Sequence, residues 1–398
     1  MRPIDLHNLP FAIVLSRDMY AFSSKIAIPS GTALAGFRSL AGQLTTDSGW
    51  LEMHGIGCDS AAAWELCSVD ALYAGALATG SPDSRVQKLI AASHTHYAPM
   101  LDADKPALGT YSPETVEAFR TAISSATREN VEPDTCTVYR GEVDLPVYRR
   151  FDFPDSAFNR LLTRRAGLYP NEALKIDRSV LVFVFSHGSA NLFAFVYHAN
   201  HPVTRQNSTA ASADYVAALR EAVGRRFGLH HCLFLQGCAG DIRPNLAEKR
   251  ISWLPRSRIN WHFRSAPTYE DQKWIDEQYR SAVRTAQEMG CFSTSSESFS
   301  VATKRVPLSG GGMVEVPRLG IGKSVSFSFL PYEVSHRYHM DTVIADGIPS
   351  RLIVFCANRL QGYLPHPKQL RAGGYEVDGS RPLMGLNRQV SLESSELW

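Results

Sequence analysis

Apolar residues in this chain come mostly in short runs that stop at polar or glycine-bearing turns, interleaved with a few longer stretches of helical character. Runs at Val86 to Ala92, Thr135 to Leu145, Ser179 to Phe185, Asn191 to Tyr197, Cys232 to Leu235, Ser324 to Leu330 and Leu352 to Phe355 predict strands. Ser186-His187-Gly188-Ser189-Ala190, between two of them, is a hairpin signal. Residues 9–48 alternate short apolar runs with Gly, Pro and Ser and predict strands and loops. Helices are expected at Ser60 to Leu77, from its Ala and Leu content, at Pro113 to Asn130, at Ala213 to Phe227 and at Tyr269 to Met289. The helix from Pro113 has the clearest pattern: proline opens it, and Val116, Phe119, Ile123 and Ala126 share a face. No repeat, low-complexity tract or composition break marks a linker. The pattern predicts one domain over 1–398, with the basic, aromatic stretch 247–266 as a lid or insertion.

Chemistry-bearing residues fall just past the ends of these strands. Ser93-His94-Thr95-His96-Tyr97-Ala98-Pro99 follows Ala92, and imidazoles two residues apart in extended backbone point to one face. His201-Pro202-Val203-Thr204 follows the strand ending at Tyr197. The loop Gln236 to Asn245 follows Leu235, and its Gly237 and Gly240 permit positive φ or close backbone approach. Glu333 follows Leu330, and Tyr363 follows the strand ending at Phe355. In sheet proteins with helical crossovers, active sites gather at that edge. Each residue alone has an ordinary structural reading. Repetition at His94/His96, His201, Asp241, Glu333 and Tyr363 favours a convergent site.

Several of these residues admit two roles. Neutral imidazole is the commonest zinc ligand, yet paired histidines also simply hydrogen-bond in turns. His198, still inside its strand, is the weaker candidate of the second pair. Asp241 suits acceptance of hydrogen bonds from loop amides or orientation of a ligand histidine. Cys238 is either a nucleophile whose pKa a nearby cation lowers or a small buried residue. Arg149 and Arg150 read equally as a clamp for a carboxylate or oxyanion and as a solvated basic pair.

Composition excludes some classes. The formal charge of +2 over 398 residues does not build a nucleic-acid binder, and no apolar run approaches membrane-spanning length. The first residues lack an apolar core of signal-peptide length, and the seven cysteines never fall in CxxC spacing. A cytoplasmic location without stable membrane anchoring is the expectation.

Taken in order, Ser93 to Pro99, His201 to Thr204, Phe234 to Asn245, Pro331-Tyr332-Glu333, Gly362-Tyr363 and Tyr375-Glu376 resemble the motifs of the neutral (non-lysosomal) ceramidases, zinc-dependent amidohydrolases. The resemblance spans about residues 30–380 and implies a mixed α/β catalytic domain of β-sheets flanked by helices. It implies zinc held by His94, His201, Glu333 and Tyr363, with His96, Arg149 and Tyr375 around the scissile amide. The family carries a serine where this loop has Gly237, so that role is lost or passes to Cys238. The family's additional C-terminal β-domain has no counterpart, so a sphingolipid of the outer leaflet is not the expected substrate.

The function expected is hydrolysis of an N-acyl amide of small or medium size by metal-activated water, with Zn2+ as cofactor. Arg149 and the 247–266 stretch point to an anionic substrate. Amide formation or acyl transfer on the same groups, with Cys238 as nucleophile and His96 as base, stays open, as does a non-catalytic metal-stabilised binding protein.

Overall fold

The computed structural model describes residues 19–39, 42–45, 49–59, 63–78, 86–152, 166–205, 210–250, 260–263, 268–309, 311–342, 350–386 and 389–393. Its first sheet holds β1 (Met19–Ile28), β2 (Gly49–Cys58), β3 (Trp64–Val69) and β4 (Gln87–Ala92) in the order β4-β3-β2-β1, with Glu129–Asn130 beyond β1. A second sheet holds β5 (Thr135–Glu142), β6 (Ser179–His187), β7 (Ala190–His198), β8 (Cys232–Gln236) and β9 (Gln287–Ser293) in the order β8-β7-β6-β5-β9. A third runs β10 (Phe299–Pro307), β11 (Met313–Ile321), β12 (Val325–Phe329), β13 (Arg351–Val354). Pairing is antiparallel except at one place in each sheet: β3 with β4, β7 with β8, and β12 with β13.

The period-two alternation of side chains sorts the strands between cores. From β6, Leu181, Phe183 and Phe185 enter a core shared by all three sheets, with Met19, Leu66, Leu89, Phe299 and Phe327. Val180, Val182 and Val184 point the other way, onto α2 (Tyr215–Phe227) and α3 (Tyr269–Arg284). The far face of the first sheet is covered by α1 (Pro113–Ser125), through Val116, Phe119 and Ile123. Proline occupies the first turn of α1, as the sequence pattern predicts, and Ser112 caps it. The fold is mixed α/β, with sheets flanked by helices. Among the described residues no helix is long and apolar enough to cross a membrane.

Three predicted helices are corrected. The one from Pro113 ends at Ser125, and Glu129–Asn130 pairs with β1 instead of continuing it. Within Ser60 to Leu77, Trp64–Val69 is a strand and only Gly75–Ala78 is helical. All six residues of that strand are buried, and an apolar run buried on both faces has no alternation to distinguish it from a buried helix. The helix from Tyr269 ends at Arg284, and Gln287–Ser293 leaves it to pair with β5 as an edge strand. In the stretch 247–266, Ala247–Arg250 and Asn260–Phe263 form an antiparallel ribbon. The rest of the expected lid, 251–259 and 264–266, and residues 9–18, lie outside the described residues.

Candidate metal centre

The C-terminal ends of the parallel pairs meet at one corner. The Gly237 amide donates to the His198 carbonyl at 2.8 Å, Phe355 to Gln236 at 3.0 Å, His96 to Pro202 at 3.3 Å and Asn358 to Ile90 at 2.7 Å. Three non-glycine residues here hold positive φ: His94 (65°), Cys356 (52°) and Asn358 (55°). Such backbone costs about 1–3 kcal/mol per residue and persists only where surrounding structure imposes it. The Asn358 side chain helps do so by accepting from the Ile90 amide at 2.9 Å. The turn aims the His94 ring back into the corner.

Short parallel strands, Tyr332–Val334 and Gly362–Leu364, place Glu333 directly beside Tyr363. Glu333 Oε2 lies 3.5 Å from His94 Nε2 and 3.5 Å from His201 Nε2. The opposite nitrogens are occupied: His201 Nδ1 faces the Ile242 carbonyl at 2.8 Å, and His94 Nδ1 the Leu72 carbonyl at 3.2 Å and Cys356 Sγ at 3.5 Å. Both Nδ1 atoms therefore carry hydrogen, and the Nε2 lone pairs converge on the carboxylate. Burial first, then the Arg149 charge, lowers His201 to about 3, so its imidazole is neutral. Tyr73 donates to the other carboxylate oxygen of Glu333, Oε1, at 2.6 Å.

These groups fit a divalent cation. His94 Nε2 and Glu333 Oε2 are buried polar atoms without a hydrogen-bond partner, facing each other. Tetrahedral zinc with N and O ligands at ~2.1 Å sets donor atoms ~3.4 Å apart, close to the spacing found. His94, His96 and His201 together bring ligand atoms within 4.8 Å of one another, with His96 on the more open side. Burial, then Glu333, raises the Tyr363 phenol well above its ordinary range, with Arg149 working against them.

Around this set stand the other expected residues. Arg149 donates from Nε to Glu376 Oε1 (3.0 Å) and from Nη2 to the Gly240 carbonyl (2.7 Å) and Tyr363 Oη (3.3 Å). Its Cζ lies 5.5 Å from the centre of the Tyr375 ring, and Tyr363 and Tyr375 meet edge-on at 5.8 Å. Arg150 is fully buried and also reaches Glu376, at 3.5 Å, so the solvated-pair reading of Arg149-Arg150 falls. Burial raises Tyr375, which stays a phenol. His96 is pushed well below its ordinary value, by burial and then by its two histidine neighbours, and is neutral at pH 7.

Two expected roles do not fit. Cys238 is fully buried among apolar side chains, and burial followed by Asp241 raises its thiol well above the ordinary range. An unactivated, enclosed thiol is no nucleophile. Asp241 orients no ligand histidine; its carboxylate accepts from the His336 amide (2.7 Å), Gln369 Nε2 (2.7 Å) and Ser335 Oγ. At Gly237 an added Cβ would lie 2.8 Å from the Tyr197 ring, so aromatic volume fills the place of a side chain there. His198 points onto Tyr215 and Tyr279, away from the corner.

Sequence reasoning missed Tyr73 and Arg243. Tyr73 lies four residues past the end of β3, on the same side-of-strand-end logic that marks the histidines, but the helix assigned there hid it. Arg243 stands in Ile242–Pro244 opposite Val147, two residues from Arg149, and so shares that face.

The corner and its sheets define a mixed α/β protein with a buried three-histidine group able to hold a metal ion. That fold is neutral-ceramidase-like. The crystal structure of neutral ceramidase from Pseudomonas aeruginosa matches it with a TM-score of 0.58, covering 90% of this chain and 70% of that one at 14% identity. A ceramidase complexed with C2 matches with a TM-score of 0.57, over 90% and 71% of the two chains, at 13% identity. At these identities the likeness is one of fold. No protein-family model and no curated protein matches the sequence.

Proposed function

We propose that this protein is a zinc-dependent amidohydrolase cleaving an N-acyl bond of a small or medium substrate. The observation that carries this reading is the facing pair of unpartnered buried donors, His94 Nε2 and Glu333 Oε2, with His201 Nε2 on the same oxygen. His94, His201, Glu333 and Tyr363 would hold the ion. When bound, zinc supplies a water nucleophile at neutral pH and polarises a carbonyl. Ligation by Tyr363 needs the cation to draw off a proton that burial otherwise keeps in place.

The chain's own groups do the rest. Neutral His96, on the open side of the corner, accepts a proton at a ring nitrogen and returns it to the leaving nitrogen. Arg149, fixed by Glu376 and the Gly240 carbonyl, offers a positive charge to the oxygen that becomes negative. Tyr375 adds a phenolic donor beside it. One such donor contributes about 3 kcal/mol. The described cysteines are all unpaired thiols, which supports a reducing, cytoplasmic setting.

Elemental analysis of the purified protein beside His201→Ala tests the reading. About one zinc per chain, lost with amidase activity in the variant, is expected. Wild-type protein without metal, and unable to take it up on titration, would sink it.

A further inference from the structure

Arg243 lies beside the centre, and among the described residues nothing neutralises it. Among the described residues its guanidinium makes no hydrogen bond or ion pair, and its Nε is buried and unsatisfied. Glu376, the carboxylate that Arg149 meets, is already shared by Arg149 and Arg150. Its guanidinium lies over the Phe263 ring, with Cζ 5.4 Å from the ring centre. Burial, followed by the neighbouring Arg149, brings its pKa down to about 10, and Tyr97, Tyr363 and Tyr375 work against that fall. It remains charged at neutral pH. A partly buried cation without a counter-charge is costly, and proteins seldom keep one unless something else brings the anion.

We propose that Arg243 is a specificity residue that binds a carboxylate carried by the substrate next to its scissile amide, so that the substrates are N-acyl amino acids rather than N-acyl amino alcohols. This rests on the amidohydrolase reading. A single guanidinium lacking a partner calls for a single negative charge, and its planar fork matches a carboxylate in two parallel hydrogen bonds. Arg149, to which sequence reasoning assigned the anion, is already committed to Glu376, Gly240 and Tyr363. Arg243 shares the sheet face of Arg149, so an anion held by it lies on the same side of the strand as the group proposed to face the oxyanion.

The test compares N-hexanoylglycine with N-hexanoylethanolamine as substrates. It also measures calorimetric binding of their non-hydrolysable isosteres, in which CH2 replaces the amide NH, to the metal-loaded protein. Wild type is expected to prefer the acid by about tenfold or more in binding and in kcat/KM. Arg243→Gln abolishes the preference without lowering Tm, because it removes an uncompensated charge, and Arg243→Lys keeps part of it. Equal binding of acid and alcohol by wild type, no binding of either, or a preference that survives in Arg243→Gln overturns the proposal. So does a fall in Tm with both substrates weakened alike, which makes Arg243 a structural stack on Phe263. An Arg243-dependent preference in binding with no turnover of either amide leaves the specificity assignment standing and overturns the hydrolase reading instead.

Discussion

Two groups of buried histidines flank the Gly237–Pro244 loop, and they differ in what their ring nitrogens do. Behind the loop, His336 donates to the Cys238 carbonyl at 2.9 Å and accepts from the Asp177 amide at 2.9 Å. His339 meets Asp177 Oδ2 at 2.8 Å and the Tyr197 hydroxyl at 3.4 Å, and His366 meets Asp341 at 3.1 Å and the Lys368 amide at 3.3 Å. Both nitrogens of every ring are engaged within the protein. In front of the loop, His94 and His201 spend one nitrogen each on a backbone carbonyl and turn the other toward Glu333. Burial of an imidazole therefore says nothing about function. One unfilled ring nitrogen does not decide it either, since His198 Nε2 is also buried without a partner; what sets the corner apart is that two such atoms, His94 Nε2 and Glu333 Oε2, face each other, which native interiors rarely leave.

Exchanging a charge in each group sharpens this contrast most. Glu333→Gln is expected to abolish metal retention and turnover while leaving a folded protein, as read by elemental analysis and thermal denaturation. Asp177→Asn should do the reverse. Although burial works to raise Asp177, the His339 hydrogen bond and charge hold it well below the carboxylate range. Breaking that pair costs about 3 kcal/mol of stability, with the metal retained. Metal loss in Asp177→Asn, or its retention in Glu333→Gln, would erase the distinction.

Acid reaches the structural histidines next. Burial lowers both His336 and His198 to about 4. In the unfolded chain imidazole titrates near ~6.5, so between these values the unfolded state binds more protons and stability falls with pH. The contribution is intact above about pH 6.5 and lost by about pH 4, roughly 3 kcal/mol per ring. His198→Phe, which keeps an aromatic ring against Tyr215 and Tyr279, should flatten the chemical-denaturation profile across that window; an unchanged slope would count against a neutral buried His198. Smallest is Gly237→Ala, whose Cβ must displace the Tyr197 ring. It should cost about 1–3 kcal/mol with metal content unaffected.

Much of the fold was legible because buried strands ending in polar residues leave a mark in one dimension: His94, His96 and His201 were visible that way. Glu333 and Tyr363 follow apolar runs in the sequence too, but each is the middle residue of a short strand of its own, and their adjacency depends on a parallel pairing that only the ordered family motifs suggested. The choice between the two roles open to Asp241, and to Cys238, could not be made in sequence because what decides it is distant: Ser335, His336 and Gln369 for the carboxylate, and an apolar enclosure for the thiol. Trp64–Val69 was misread for the opposite reason, its own composition outweighing neighbours not yet in view. Arg243 gave no signal at all, since the lack of a partner is a property of three dimensions.

Tyr73 and Glu333 are 260 positions apart, and the other groups of the corner extend to Glu376. Synthesis delivers the first histidines long before the carboxylate and phenol that complete their surroundings. Contacts of such separation form late, after the loops between them have closed. No early fragment of the chain can assemble the site, so an ion would be captured only by the finished molecule. A ligand that binds only the native state adds to its stability by mass action, so the metal would act as a latch on the last step of maturation.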